Sequence, residues 1–324
     1  MADYKGIKGF KVQSLASDPS GPEGQVWYNT AGNALKYQIN AGAWASGDAY
    51  TTARATAIAF GTSAAALITS GWIPPLSNLT ELYNGSSWTE VGNLNTARSQ
   101  GVGFGTTTAG VAGPGGQNAG AGGRLANVEE WDGTSFTEVN NVGTAKYVCG
   151  SAGTQTAGLV FQGGYGSTYP GWNESYDGTS WTEEADCNTG RGDGGSGGTQ
   201  TAAVFAGGND TYGGGKITEI WNGTSWTEVN DLNAITKSVG GSGGTTTAFL
   251  CGGGYITANT AKTETYDGTS WTEVADLATA VSGGANHAGT AVLGMVIGGE
   301  APGGKTTAVE AWSYSNAVKT VTVS

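Results

Sequence analysis

Apolar and polar residues alternate in short runs along this chain, and the runs come back in the same order. The segment Ala97 to Val142 carries the full pattern. A glycine-rich strand, Arg98–Gly105, is followed by a second from Thr106 that ends at the doublet Gly115-Gly116. The variable stretch Gln117–Ala126 leads to a third strand, Asn127–Trp131. Asp132-Gly133 then turns the chain into a fourth, Ser135–Val139. No stretch sustains the apolar spacing of three and four residues that one face of a helix needs. The pattern predicts an all-β chain of short antiparallel strands.

Five near-identical nonapeptides set the period: Tyr83–Val91, Trp131–Val139, Tyr176–Glu184, Trp221–Val229 and Tyr266–Val274. Their central aromatics, Trp88, Phe136, Trp181, Trp226 and Trp271, lie 48, 45, 45 and 45 residues apart. Each nonapeptide holds an Asn-Gly or Asp-Gly pair between two strands, and these pairs tolerate the positive φ of a type I′ hairpin. Four strands in a unit of this length fit one blade of a β-propeller. Small residues suit the first strand, nearest the crowded axis, as in Gly101–Gly105, Gly190–Gly198 and Gly240–Gly244. Thr-Glu on the last strand puts charge on an exposed edge and discourages pairing with another molecule.

Composition narrows this picture. The chain has 324 residues, 59 of them Gly, yet its 11 Trp and 13 Tyr supply large buried surfaces. A net charge of −12 and a pI near 4.4 disfavour nucleic acid and anionic membranes as partners. No run approaches the roughly 18–20 apolar residues of a membrane span. The opening residues lack the apolar core of a signal peptide, which implies synthesis and assembly in the cytoplasm. Cys149, Cys187 and Cys251 form no motif and read as small buried hydrophobes.

The repeats resemble Kelch repeats. A glycine doublet follows strand two (Gly163-Gly164, Gly207-Gly208, Gly253-Gly254, Gly298-Gly299), then an aromatic after strand three, then a Trp. The likeness covers residues 51–324 and implies a propeller of six four-stranded blades: 51–94, 95–142, 143–187, 188–232, 233–277 and 278–324. Blade one has Ser70-Gly71 at the doublet. Blade six keeps Trp312 but replaces the turn, and the strand from Val318 to Ser324 can close it. Gln25–Thr30, Ala34–Asn40 and Ala43–Gly47 align one period upstream with strands two to four, so a seventh, partly built blade is the alternative. Residues 1–50 carry a second resemblance. Gly24–Trp44 is similar to short hairpin modules of bacteriophage tail-fibre and virion-attachment proteins. That resemblance implies an N-terminal attachment module, residues 1–50, on a virion protein.

Candidate catalytic chemistry is sparse. His287 is the single histidine, so neither a multi-histidine metal site nor the two-His, two-Tyr copper centre of Kelch oxidases is available. A Ser–His–Asp arrangement through His287 has no supporting motif. The turn Ser175–Trp181 differs from a sialidase Asp-box, with Gly directly after Asp and one residue fewer. No carboxylate pair stands out for glycosidase chemistry. The expectation is a non-enzymatic protein with no cofactor and no metal.

Two features are candidates for binding. Arg54, Arg98, Lys146, Arg191 and Lys237 each lie seven residues before a glycine, which predicts a ring where the fourth-to-first connections meet the channel. Such a ring either pairs with acids as scaffold or draws an anion or acidic sugar to the channel mouth. The loops between strands two and three vary while their flanks do not, and carry Trp72, Tyr165, Tyr169, Trp172, Tyr212 and Tyr255. Aromatics on loops of a rigid scaffold stack on sugars or anchor a protein partner. The sequence therefore leads to a phage virion protein, a fibre, tail-associated or surface-decoration component. Residues 1–50 meet other virion proteins and the propeller meets a host-surface glycan or receptor. A free-standing propeller lectin or interaction protein, or a carboxylate-dependent glycan-active enzyme, is the alternative.

Overall fold

The computed structural model describes residues 12–19, 25–117, 123–165, 167–209, 215–234, 237, 241–255, 257–283 and 286–321. Among them every regular element is a strand. The chain divides into two compact units, Met1–Ala43 with Tyr314–Ser324, and Trp44–Ser313. The expected 50/51 boundary thus moves to 43/44, and the C-terminal segment joins the N-terminal residues. The strands Ala34–Ser46 and Val309–Thr320 each have residues in both units, so no loop marks the division.

Five four-stranded antiparallel sheets follow one another along the larger unit. Sheet one is Ile58–Thr62, Ala65–Trp72, Leu76–Tyr83 and Trp88–Glu90, and sheet two is Gly103–Thr106, Ala109–Ala112, Val128–Trp131 and Phe136–Val139. Sheet three is Gly150–Thr154, Ala157–Phe161, Asn173–Tyr176 and Trp181–Glu183, and sheet four is Gly195–Thr199, Ala202–Ala206, Thr218–Trp221 and Trp226–Val229. Sheet five is Gly241–Thr245, Ala248–Tyr255, Asn259–Tyr266 and Trp271–Glu273. A last sheet begins with Asn286–Gly289, Leu293–Ile297 and the Val309–Ser313 part of its third strand. Each first strand packs on the next, and Asn286–Gly289 packs back on Ile58–Thr62. This closed cycle of sheets is a β-propeller architecture.

Glycine lets neighbouring sheets approach. A Cβ on Gly103 would lie 2.6 Å from the Phe60 ring, and one on Gly158 would lie 2.3 Å from Phe104. The aromatic of one sheet thus fills a notch in the next, and any side chain there would displace it. Phe60, Phe104, Phe161, Phe205 and Phe249 are all buried.

The last sheet takes its fourth strand from the other end of the sequence. Gly47 N donates to Val309 O at 2.8 Å, and the Trp44 and Trp312 ring centroids lie 5.2 Å apart. Trp44 Nε1 donates to Thr263 Oγ1 of sheet five at 3.0 Å, just as Trp271 Nε1 of sheet five donates to Thr218 Oγ1 of sheet four at 3.1 Å. Trp44 is therefore the fourth-strand tryptophan of the last sheet. The expectation that Val318–Ser324 supplies this strand is corrected. Val318–Thr320 instead continues the sheet's third strand, and residues 322–324 lie outside the described residues.

The turns also differ from type I′. In all five, the glycine alone has positive φ, between 91° and 98°. The preceding Asn or Asp uses its side chain: Asp132 Oδ1 accepts from Thr134 N and Ser135 N, both at 2.8 Å. Such an Asx-turn needs a short acceptor side chain at this position rather than a left-handed backbone. The same contacts hold the Asp132, Asp177 and Asp267 carboxyls below the usual carboxylate range, Ser135 N, Ser180 N and Ser270 N contributing most.

In the smaller unit, Gln13–Leu15 pairs in parallel with Val26–Asn29, which pairs antiparallel with the start of Ala34–Ser46. Asp18 ties it together. Its carboxylate meets Lys36 Nζ at 2.8 Å and accepts from Asn29 Nδ2 at 2.7 Å and from the buried Trp27 Nε1 at 3.2 Å.

Replacing Trp44 with Ala removes a ring–ring contact and a hydrogen bond at the closing sheet. Guanidinium unfolding should show a loss of about 2–3 kcal/mol, where an exposed strand-four change such as Thr89→Ala should cost under about 0.5 kcal/mol.

Candidate binding faces

The basic positions are placed by glutamates that the sequence reading did not single out. In each of the five four-stranded sheets the third strand carries a glutamate three residues before the turn, Glu81, Glu129, Glu174, Glu219 and Glu264, and the last sheet carries Glu310 two residues before Trp312, as Glu129 precedes Trp131. All are at most 7% exposed. Each carboxylate accepts backbone N–H groups from the connection that enters its own sheet. Thr51 N reaches Glu81 at 2.6 Å, Asn95 N reaches Glu129 at 2.7 Å, and Gly143 N reaches Glu174 at 2.6 Å. Asn188 N, Asn233 N and Ala278 N repeat the contact at 2.8, 2.7 and 2.7 Å.

Four cations complete these sites. Arg54 lies 3.3 Å from Glu81, Arg98 2.5 Å from Glu129, Lys146 2.8 Å from Glu174, and Arg191 3.0 Å from Glu219. All four are fully buried. Burial pulls the Arg54 and Arg98 guanidiniums below their ordinary range, opposed mainly by Glu81 and Glu129. The geometry is that of paired scaffold, and it does not turn these charges toward an anion at the channel mouth. Lys237 sits differently. It is half-buried, and its backbone pairs with Tyr255, a place held by Ser99 in sheet two.

The first strands surround a channel cavity of about 520 Å³. At one end runs a chain of backbone hydrogen bonds: Thr56 N to Gly283 O, Gln100 N to Thr56 O, Val148 N to Gln100 O and Asp193 N to Val148 O, at 2.8 to 3.0 Å. These residues all have positive φ, from 50° to 67°. That conformation is strained for Thr and Val, so the chain of hydrogen bonds holds it in place. Asp193 is the one acidic side chain lining the cavity among the described residues, and burial pushes its carboxyl up to about 6. His287 also lines the channel. Burial depresses its imidazole to about 3, and its Nε2 has no hydrogen-bond partner. The ring lies within 2.3 Å of where a Gly243 Cβ would be, filling a glycine notch as the phenylalanines do. Its position is that of a neutral packing group, with no serine–aspartate pair assembled on it among the described residues.

The loops between strands two and three hold the aromatics. Tyr165 and Tyr255 are 43% and 41% exposed. Tyr165 meets Trp172 edge-on at 5.3 Å, and the Arg124 guanidinium lies 4.2 Å over the Tyr165 ring. Tyr169 turns inward, where its hydroxyl accepts from Asn209 Nδ2 at 3.2 Å and its ring covers Gly192. Burial raises its phenol above the usual range. Trp72 pairs with Ala55 at the edge of sheet one. Tyr212 lies outside the described residues. The structure thus brings Tyr165 and Trp172 together with Arg124, and places Trp72 and Tyr255 not on loops but at the ends of the second strands of sheets one and five.

No cluster of His, Cys, Asp and Glu suited to a metal is present among the described residues. Cys149, Cys187 and Cys251 are free and buried, and burial raises the Cys149 thiol to about 12.

Together the cyclic sheets and loop-borne aromatics define an all-β chain of β-propeller type. A solved structure described as "Structure of YjhT" has the same fold, with a TM-score of 0.66 at 11% identity, over 83% of this chain and 99% of that one. No protein-family profile and no curated protein matches the chain.

Asp193 gives a pH dependence. Its folded value near 6 exceeds the ordinary carboxylate value of 3.8. The native state therefore binds the proton first, and the cost of the buried charge is present above about 6 and fades as pH falls toward 4. Thermal melts of the wild type and Asp193→Asn should differ most at pH 7 to 8, with Asp193→Asn the more stable, and converge near pH 4.5.

Proposed function

We propose that this chain is a six-bladed, Kelch-like propeller that serves as a non-enzymatic component of a phage virion. It binds a host-surface glycan or protein through loops on one face, while its N-terminal residues attach it to other virion proteins. The cyclic packing of six first strands supports the blade number. The glycine doublets and the fibre-like hairpin at Gly24–Trp44 support the Kelch and virion readings.

The observation that carries the binding role is the cluster of Tyr165, Trp172 and Arg124. Two aromatic rings are held on a loop flanked by the rigid strands Ala157–Phe161 and Asn173–Tyr176, and a guanidinium from the corresponding loop of sheet two lies over one of them. Sugar rings offer an apolar face for stacking and hydroxyls for hydrogen bonds, so such a cluster suits them.

The full chain applied to a printed glycan array should retain a defined set of glycans, and chromatography of the bound set should show no shortened product. Release of shorter glycans would overturn the non-enzymatic reading. Mass spectrometry of purified virions should find the chain, and its absence would overturn the virion assignment.

A further inference from the structure

Three of the six connections between sheets lack an asparagine that the other three carry, and at one of them a cavity opens. In sheets two, four and five, an asparagine follows the fourth strand of the preceding sheet and fills the gap beside its own. Asn95 Nδ2 donates to Glu129 Oε2 at 3.0 Å and to Phe136 O at 2.9 Å. Asn188 Nδ2 donates to Trp226 O at 3.0 Å. Asn233 Nδ2 donates to Glu264 Oε2 at 2.9 Å and to Trp271 O at 2.9 Å. In each case the amide reaches the first carbonyl of the fourth strand, and in sheets two and five it also bridges to the buried carboxylate.

Sheet three has Gly143 at this place. Its backbone N–H still reaches Glu174 at 2.6 Å, so the connection follows the same path. The amide is gone. A Cβ here would meet only Glu174, with Oε2 at 3.2 Å. In its stead lies a groove of about 560 Å³, lined by Gly143, Glu174, Trp172, Trp181, Glu183 and Asn140 among others. Its volume falls within the roughly 300–1,000 Å³ of small-molecule sites. Thr51 and Ala278 also lack the amide, but Gly143 is the one whose gap adjoins Trp172, the tryptophan of the exposed cluster.

The chemistry of the groove specifies its occupant. Glu174 and the Trp181 carbonyl are the two acceptors that an asparagine amide bridges elsewhere, so the occupant must offer two neighbouring donors. Glu183 adds a third acceptor, half-exposed Trp172 and Trp181 add flat apolar walls, and the lining contains no Lys or Arg. Adjacent hydroxyls on a ring with an apolar C–H face meet all these demands. A carboxylated sugar would bring its charge against the exposed Glu183 and would offer no donor in place of the amide to Glu174, which is already paired with Lys146.

We infer that the groove beside Gly143 is a subsite for one neutral hexopyranose ring, its hydroxyls taking the place of the missing asparagine amide. This inference rests on the glycan-binding reading and locates it on the side of sheet three. Tyr165, edge-on to Trp172, fixes one wall, and the loop carrying both connects the groove to the exposed face.

Gly143→Asn is the direct test, since it restores the side chain that three sister sheets carry. Methyl gluco-, galacto- and mannopyranosides, with the corresponding uronic acids, are titrated into the full chain and followed by NMR of the tryptophan indole N–H signals. At least one neutral glycoside should shift the Trp172 or Trp181 signal, and its uronic acid should bind more weakly. Gly143→Asn should weaken that binding tenfold or more while its melting temperature stays at or above that of the wild type. Trp172→Ala, away from the Glu174 contact, should weaken it about tenfold through lost ring contact. Wild-type affinity in both variants, or no shift with any of the three neutral glycosides, overturns the subsite. If Gly143→Asn still retains array glycans at the wild-type level, the subsite falls and the glycan-binding reading stands. If the wild type retains none, both fall.

Discussion

A buried carboxylate at the same point of every sheet organises this protein. Each third-strand glutamate gathers the backbone N–H groups of the connection that enters its sheet, and in four sheets a buried Arg or Lys completes the site. The connection would otherwise leave polar backbone groups without partners in a dry interior, which is costly. A carboxylate offers enough lone pairs to take two amides and a guanidinium at once. The cation offsets the charge, and removing either partner would strand the other. The sheets can therefore meet closely without a thick layer of loop between them.

That close approach explains the glycine content. Phenylalanines from one sheet enter notches left by glycines in the next, and His287 does the same against Gly243. Toward the axis, a run of hydrogen bonds between residues of positive φ joins successive connections from Gly283 to Asp193. The cycle is finished by Trp44, which takes the fourth-strand place in the last sheet and makes the same inter-sheet hydrogen bond as Trp271. A scaffold tied at the connections, the axis and the closing sheet leaves its outer loops free to vary. The exposed aromatics and the groove beside Gly143 both belong to places where the repeat is interrupted.

Much of this was legible in the sequence because it is periodic. The Asx-Gly pairs announced the hairpins, and four strands per period announced the sheets. The strand-four likeness of Trp44, one period upstream of Trp88, is visible in the sequence, but sequence alone leaves it between an N-terminal attachment module and a seventh blade, and closes the sixth with Val318–Ser324. The glutamates were hidden by regularity. Glu-x-aromatic-Asx-Gly recurs in each nonapeptide's lead-in, yet a lone acid in a strand gives no sign of burial until its partners are placed. The cations were seen, but only their distances to Glu81, Glu129, Glu174 and Glu219 settle that they are paired inward. The one-residue displacement of Lys237 and the inward turn of Tyr169 come from packing, which spacing does not encode. Gly143 was legible as an Asn-to-Gly change only once Asn95, Asn188 and Asn233 were known to fill a gap.

The central claim is that the glutamates make the connections part of the rigid scaffold. Residue-resolved hydrogen exchange tests it most directly, at the amides of Asn95, Gly143, Asn188 and Asn233. The account predicts that they exchange as slowly as strand amides in Ala202–Ala206, since each is bonded to a buried carboxylate. Exchange as fast as that of the exposed turn amides of Gly85 and Gly223 would contradict it.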